Sequence, residues 1–202
     1  MSISLQIRHG LILMALLLGL SACSDKSPST AKTIIIQPLG NFDPALSQTI
    51  LKQVRQINAK TYLYKAVALP HTAYYAARDR YRADSIIRIL RNRSGSDTVW
   101  IAITHKDIST TKGDIADWGV MGLGFRPGNA CVASTFRLNK NKVEGQFFKV
   151  AIHELGHTQG LRHCPEKSCY MRDAEGGNPT DEETGFCPSC KAFLKQKGWQ
   201  LQ

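Results

Sequence analysis

No other part of this chain narrows its possibilities as much as HELGHTQGLRHCPEKSCYM, residues 153–171. His153 and His157 are four residues apart, so a helix through them places both imidazoles on one face, with Cβ atoms about 5–6 Å apart. Two ring nitrogens at that spacing reach one zinc ion at about 2 Å each. Glu154 is rotated from His153 by about 100°. It does not join the histidines as a further helix-face ligand, but it reaches a water held by the metal. Gly160 takes a left-handed conformation at low cost, so the helix ends there and the chain reverses. Three residues later His163 swings back as a third ligand. Three neutral imidazoles leave the fourth tetrahedral position open for water, as a catalytic zinc requires.

The chemistry follows from that set. Zinc lowers the pKa of its water to about 7. Glu154 is then the general base that takes the proton as the water attacks a peptide carbonyl, and it returns the proton to the leaving amine. HExxH alone is a modest signal. The extended HExxHxxGxxH fixes five positions and is the pattern of the metzincin peptidases. Phe147, Phe148, Val150 and Ile152 just before it suit a buried helix.

Beyond His163 the pattern continues as Cys164, four residues, Cys169, one residue, Met171, fifteen residues, then Cys187 and Cys190 in a CxxC. This resembles the archaemetzincins, a metzincin branch marked by cysteines after the third histidine and a later CxxC. The resemblance is strong from Phe147 to Cys190 and fainter upstream, in IAITHKDI and CVASTFRL. It implies a zinc metallopeptidase with His153, His157 and His163 on the catalytic zinc. It further implies a second, structural zinc on Cys164, Cys169, Cys187 and Cys190, and Met171 as an apolar floor beneath the histidines. The gap from Met171 to Cys187 is shorter than in the family, which alters the loop 178–186 and leaves the ligands in place. The family leans toward aminopeptidase or short-peptide cleavage.

Two closely spaced cysteine pairs suit a closed, all-thiolate zinc site independently of the resemblance. Two disulfides are the rival arrangement, because the N-terminus points to an oxidising compartment. There an apolar run, residues 10–19, follows Arg8 and His9 and ends in Leu-Ser-Ala-Cys. The run is too short to cross a bilayer as a mature helix. It resembles a bacterial lipoprotein signal, which implies removal of residues 1–22 and lipidation of Cys23, with the protein anchored outside the inner membrane. Residues 23–32 read as a polar tether, and residues 33–202 as one domain. With Cys23 set aside five cysteines remain, so one stays unpaired in any internal scheme. Cys131 reads as that one, a small buried hydrophobe.

The net charge is +10. Lys and Arg are spread along the chain with no nucleic-acid module, so the charge reads as solubility and membrane-surface attraction. A monomer acting on a peptide or protein substrate is expected.

Short β-branched runs at 33–37, 61–69 and 99–104 alternate with helical patterns at 43–57 and 82–93. That is an α/β fold, a metzincin-like single domain with a mixed, mainly parallel sheet, an active-site helix and a C-terminal zinc-stapled region. Residues 105–118 read as a polar loop. Residues 120–125 and 130–135 read as two further strands, the first an edge strand whose glycines signal a bulge or close backbone approach and to which a peptide can add. Helices are expected at 147–160 and 189–198. His71 and His105 read as surface residues, and Tyr170 as packing beside the site. A rival function is a non-catalytic zinc- or peptide-binding lipoprotein that keeps the metzincin frame. Glu154 speaks against it, since metal storage needs no base.

Overall fold

The computed structural model describes residues 31–202. The expected signal segment, Cys23 and most of the tether lie outside the described residues. The chain runs β1 (Thr33–Pro38), α1 (Pro44–Ile57), β2 (Thr61–Leu63), β3 (Tyr74–Tyr75), β4 (Arg80–Arg82), α2 (Ala83–Arg91) and β5 (Thr98–Thr104). It continues through β6 (Ile108–Lys112), β7 (Ile115–Val120), β8 (Gly122–Gly124), β9 (Ala130–Ser134), α3 (Val143–Gln159) and α4 (Pro188–Gln196).

The main sheet has the order β2-β1-β5-β9-β8. The first four strands are parallel, and β8 closes one edge antiparallel to β9. The central strands are continuously apolar because both faces of the sheet are covered. Their side chains alternate accordingly. Ile34, Ile36, Val99, Ile101 and Ile103 pack with α1, α3 and α4 on one face, and Ile35, Trp100, Ala102 and Val132 with α2 on the other. Asp43 starts α1 by accepting the Ala45 N–H at 2.8 Å, with Pro44 at the first helical position. This is the expected α/β architecture with a mainly parallel sheet.

Four expectations are corrected. The run 61–69 is a strand only to Leu63. Beyond it Tyr64 still donates its N–H to Ile36 and Val67 bridges to Leu39, but this sheet edge is exposed and the pairing lapses. The polar stretch 105–118 is not a loop. It forms most of the hairpin β6–β7, turned at Gly113-Asp114, within a second sheet of order β3-β4-β6-β7. Its alternation is muted because much of this small sheet faces solvent. The run 120–125 is divided, with Val120 ending β7 and residues 122–124 joining the main sheet as its edge. The active-site helix begins at Val143 rather than Phe147.

The two sheets are joined by charge. Arg80 contacts Asp107 at 3.0 Å and Asp117 at 3.2 Å, and Arg137 donates to both Asp107 oxygens at 2.8 and 3.0 Å.

Candidate metal centre and catalytic cavity

Helix α3 buries Phe147, Ala151, Ile152 and Leu155 in the core. His153, Glu154 and His157 lie on its other side, toward β8. At Gly160 the backbone turns left-handed, φ +112°, and the Leu161 N–H donates back to Gly156 at 3.2 Å. That i→i−5 bond is the Schellman helix end, and it sends the chain back so that His163 meets the helix. The three imidazole centroids lie 4.6, 4.9 and 5.4 Å apart. One ring nitrogen from each falls within 4.8 Å of the others.

The rings are oriented by groups that lie outside the HExxHxxGxxH pattern of side chains. His157 Nδ1 donates to the Leu161 carbonyl at 2.8 Å, and His153 Nδ1 to the Tyr170 carbonyl at 2.6 Å. His163 Nδ1 lies 3.0 Å from Asp173 Oδ2. With all three Nδ1 atoms engaged, the Nε2 atoms remain for a common metal, and the outer bonds fix the tautomer. Burial, then the neighbouring histidines, lowers His153 to about 3. Burial likewise lowers His157 to about 4. Both are therefore held neutral, the form a metal needs. The donor set fits zinc.

Glu154 is buried, and burial raises its carboxyl to about 8. A divalent cation beside it acts in the opposite direction. Strand β8 passes so close that a β-carbon on Gly122 would meet Glu154 Oε1 at 2.5 Å, and one on Gly124 would meet the Glu154 carbonyl oxygen at 2.7 Å. The glycines in this segment thus permit the close backbone approach expected of them. Met171 is fully buried, its sulfur against Gly156, the residue before His157. Tyr170 packs edge-on against Phe148 and Phe186. His105 is exposed and stacks on Phe42, and His71 is exposed, so neither joins the centre.

A second set lies close by. The sulfurs of Cys164, Cys169, Cys187 and Cys190 fall within 4.8 Å of one another, with Cys164 and Cys187 at 3.7 Å. A tetrahedron with Zn–S bonds of about 2.3 Å has edges of about 3.8 Å. Cys169 Sγ accepts the N–H groups of Met171 and Cys187 at 3.4 and 3.3 Å. All four cysteines are unbridged, and Cys131 stands apart, buried in β9. Burial works against ionisation of Cys187, but hydrogen bonds from Ser189 and Cys190 bring it down to about 6. Burial pushes Cys169 and Cys190 up. This set too fits zinc, in a closed site with no open position.

The two centres share backbone. The Cys164 N–H donates to Met171 at 2.8 Å, and the Tyr170 N–H to Gly185 at 2.8 Å. The Tyr170 backbone therefore links the segment before Cys187 to His153.

The histidines and Glu154 line a cavity of about 790 Å³ between β7–β8 and the segment 172–180. A β-carbon on Gly176 would meet the Trp118 ring at 3.1 Å across it, and Arg137 and Glu183 also line it.

A sequence model described as peptidase family M54 matches residues 50–196. The archaemetzincin of Haloarcula marismortui is 31% identical over 170 residues, covering 77% of this chain and 95% of that one. The archaemetzincin of Archaeoglobus fulgidus is 30% identical over 166 residues, covering 80% and 98%. A crystal structure of the A. fulgidus protein, complexed with malonate, superposes with a TM-score of 0.68 at 27% identity, covering 79% and 98%. The Methanopyrus kandleri archaemetzincin structure shares the fold with a TM-score of 0.69, at 24% identity and 86% and 98% coverage.

Proposed function

The chain belongs to peptidase family M54, the archaemetzincin family of zinc metallopeptidases, and on that footing we propose how its residues divide the work. His153, His157 and His163 hold the catalytic zinc, and Glu154 is the general base. The observation that carries this is the engagement of all three Nδ1 atoms by Tyr170, Leu161 and Asp173, which leaves the three Nε2 atoms for a shared ion. When bound, zinc supplies an acidified water and Lewis-acid stabilisation of the carbonyl oxygen. Glu154 accepts the proton from the attacking water and delivers it to the leaving amine. Among the described residues edge strand β8 has one side free to pair with an extended substrate, which aligns the peptide past Glu154.

Cys164, Cys169, Cys187 and Cys190 hold a second zinc with a purely structural role, giving two ions per chain. Metal content decides this. Two zinc ions support it, whereas one zinc with no titratable thiols among these four replaces it with disulfides. The N-terminal signal adds a lipid anchor on Cys23 and a place outside the inner membrane, tested by labelled palmitate incorporation that Cys23→Ser abolishes.

Purified protein on a fluorogenic peptide library, with and without chelator, tests the catalytic assignment, beside Glu154→Gln. If wild type and Glu154→Gln are equally inert while both bind zinc, the non-catalytic binding protein is the correct reading. N-acetylated and free peptides in the same library separate internal cleavage from aminopeptidase trimming.

A further inference from the structure

One buried carboxylate in the cavity has no task in this scheme. Glu183 is 4% exposed and lines the cavity with Lys149, Val150 and His153. Among the described residues its carboxylate has no hydrogen-bond or ion-pair partner. The cations near it are already engaged. Lys149 Nζ donates to the backbone carbonyls of Thr180 and Glu183 itself, each at 2.6 Å, and Arg172 pairs with Glu182. Burial raises the Glu183 carboxyl to about 7 despite the opposing charges of Lys149 and Arg172. A buried carboxylate is stabilised by a partner, and Glu183 is one of the residues that line the substrate cavity.

We infer that Glu183 forms a cation-binding subsite of the catalytic cavity, taking the charged side chain of a lysine or arginine next to the scissile bond. The inference rests on the peptidase reading above. Position selects the ligand. Lys149 precedes His153 by one helical turn, about 6 Å along the axis. Helix side chains lean toward the N-terminus, so the Lys149 ammonium and the Glu183 carbonyl bound to it are displaced away from the histidines. A substrate's terminal amine is only two bonds from the scissile carbonyl carbon in the terminal residue, about 2.5 Å. It stays beside the metal. A lysine or arginine stem of three or four methylenes carries its charge across the larger distance, along the apolar wall that Val150 offers.

The test uses zinc-loaded protein and peptides that differ only in lysine, norleucine or glutamate at each position flanking the cleaved bond. Wild type is expected to favour lysine over norleucine by about tenfold or more in kcat/KM, as a charge-assisted hydrogen bond gives, and to disfavour glutamate. Glu183→Gln brings the lysine-to-norleucine ratio close to one, chiefly through KM, and Glu183→Lys turns the preference toward glutamate. N-acetylation leaves the wild-type ratio intact. Binding of the same peptides to Glu154→Gln shows the same order without turnover. Equal handling of lysine and norleucine by wild type, or a lysine preference that survives Glu183→Gln, overturns the subsite. A preference that vanishes on N-acetylation overturns the side-chain assignment. If wild type cleaves nothing, the peptidase reading fails, and the binding order in Glu154→Gln still decides the subsite.

Discussion

Gly122 of the edge strand lies so close to Glu154 of the catalytic helix that a β-carbon on it would meet the carboxylate oxygen at 2.5 Å. Gly122 is not in the left-handed region, so the obstacle to a larger residue is this contact and not backbone strain. Gly122→Ala is therefore expected to displace the Glu154 carboxylate while leaving the histidines alone. Misplacing a reacting group by about 1 Å costs about 10²-fold, so kcat falls by about that factor while bound zinc stays at the wild-type level. Steady-state kinetics beside metal analysis checks this, and an unchanged kcat refutes it.

Asp173 gives a second prediction. It is the outer partner of His163, which at 46% side-chain exposure is the most solvent-accessible of the three rings. Little packing holds that ring, so the carboxylate has to orient it. Outer partners of this kind are worth about 10–100-fold in metal affinity. Asp173→Ala should weaken catalytic zinc binding by that amount in a chelator competition, with the cysteine site unaffected. A wild-type zinc affinity would show that the loop backbone alone places His163.

The sequence exposed the candidate ligands and concealed their supports, for a physical reason. His153, His157, His163 and the four cysteines declare themselves because metal geometry demands particular donor types at short spacings. The Tyr170 and Leu161 carbonyls contribute through the backbone, so no residue type marks them. Asp173 looks like any loop aspartate until the chain folds back on His163. The hairpin β6–β7 left a signal that was outweighed. Gly113-Asp114 is a two-residue turn between two β-rich runs, but the polarity of a half-exposed sheet hid the alternation. Glu183 gives no sequence signal, because what distinguishes it is burial without a partner.

The cysteine site bears on fold and site together. The double change Cys187→Ser with Cys190→Ser should remove one zinc ion per chain and release the start of α4. A ligand present at a thousandfold over its Kd contributes about 4 kcal/mol of stability, which at this chain length corresponds to a Tm loss of about 8–16 °C. Activity should fall as well, because the Gly185–Tyr170–His153 connection loses its anchor. Calorimetry and turnover of a neutral peptide check both. Unchanged activity at full occupancy of the histidine site would show that the two centres are mechanically independent.

Met171 separates a floor from a ligand. It is fully buried, and its sulfur would lie 2.6 Å from a β-carbon on Gly156, so it packs against the helix turn between Glu154 and His157. Met171→Leu keeps volume and apolar character and should cost less than about 1.5 kcal/mol. Met171→Ala opens a cavity against the helix at Gly156 and should cost about 2–5 kcal/mol. If Met171 is a floor and not a ligand, the zinc content of the folded protein should change in neither variant. Denaturant unfolding beside metal analysis reads both quantities. Loss of zinc from a still-folded Met171→Leu would mean that the thioether does more than fill space.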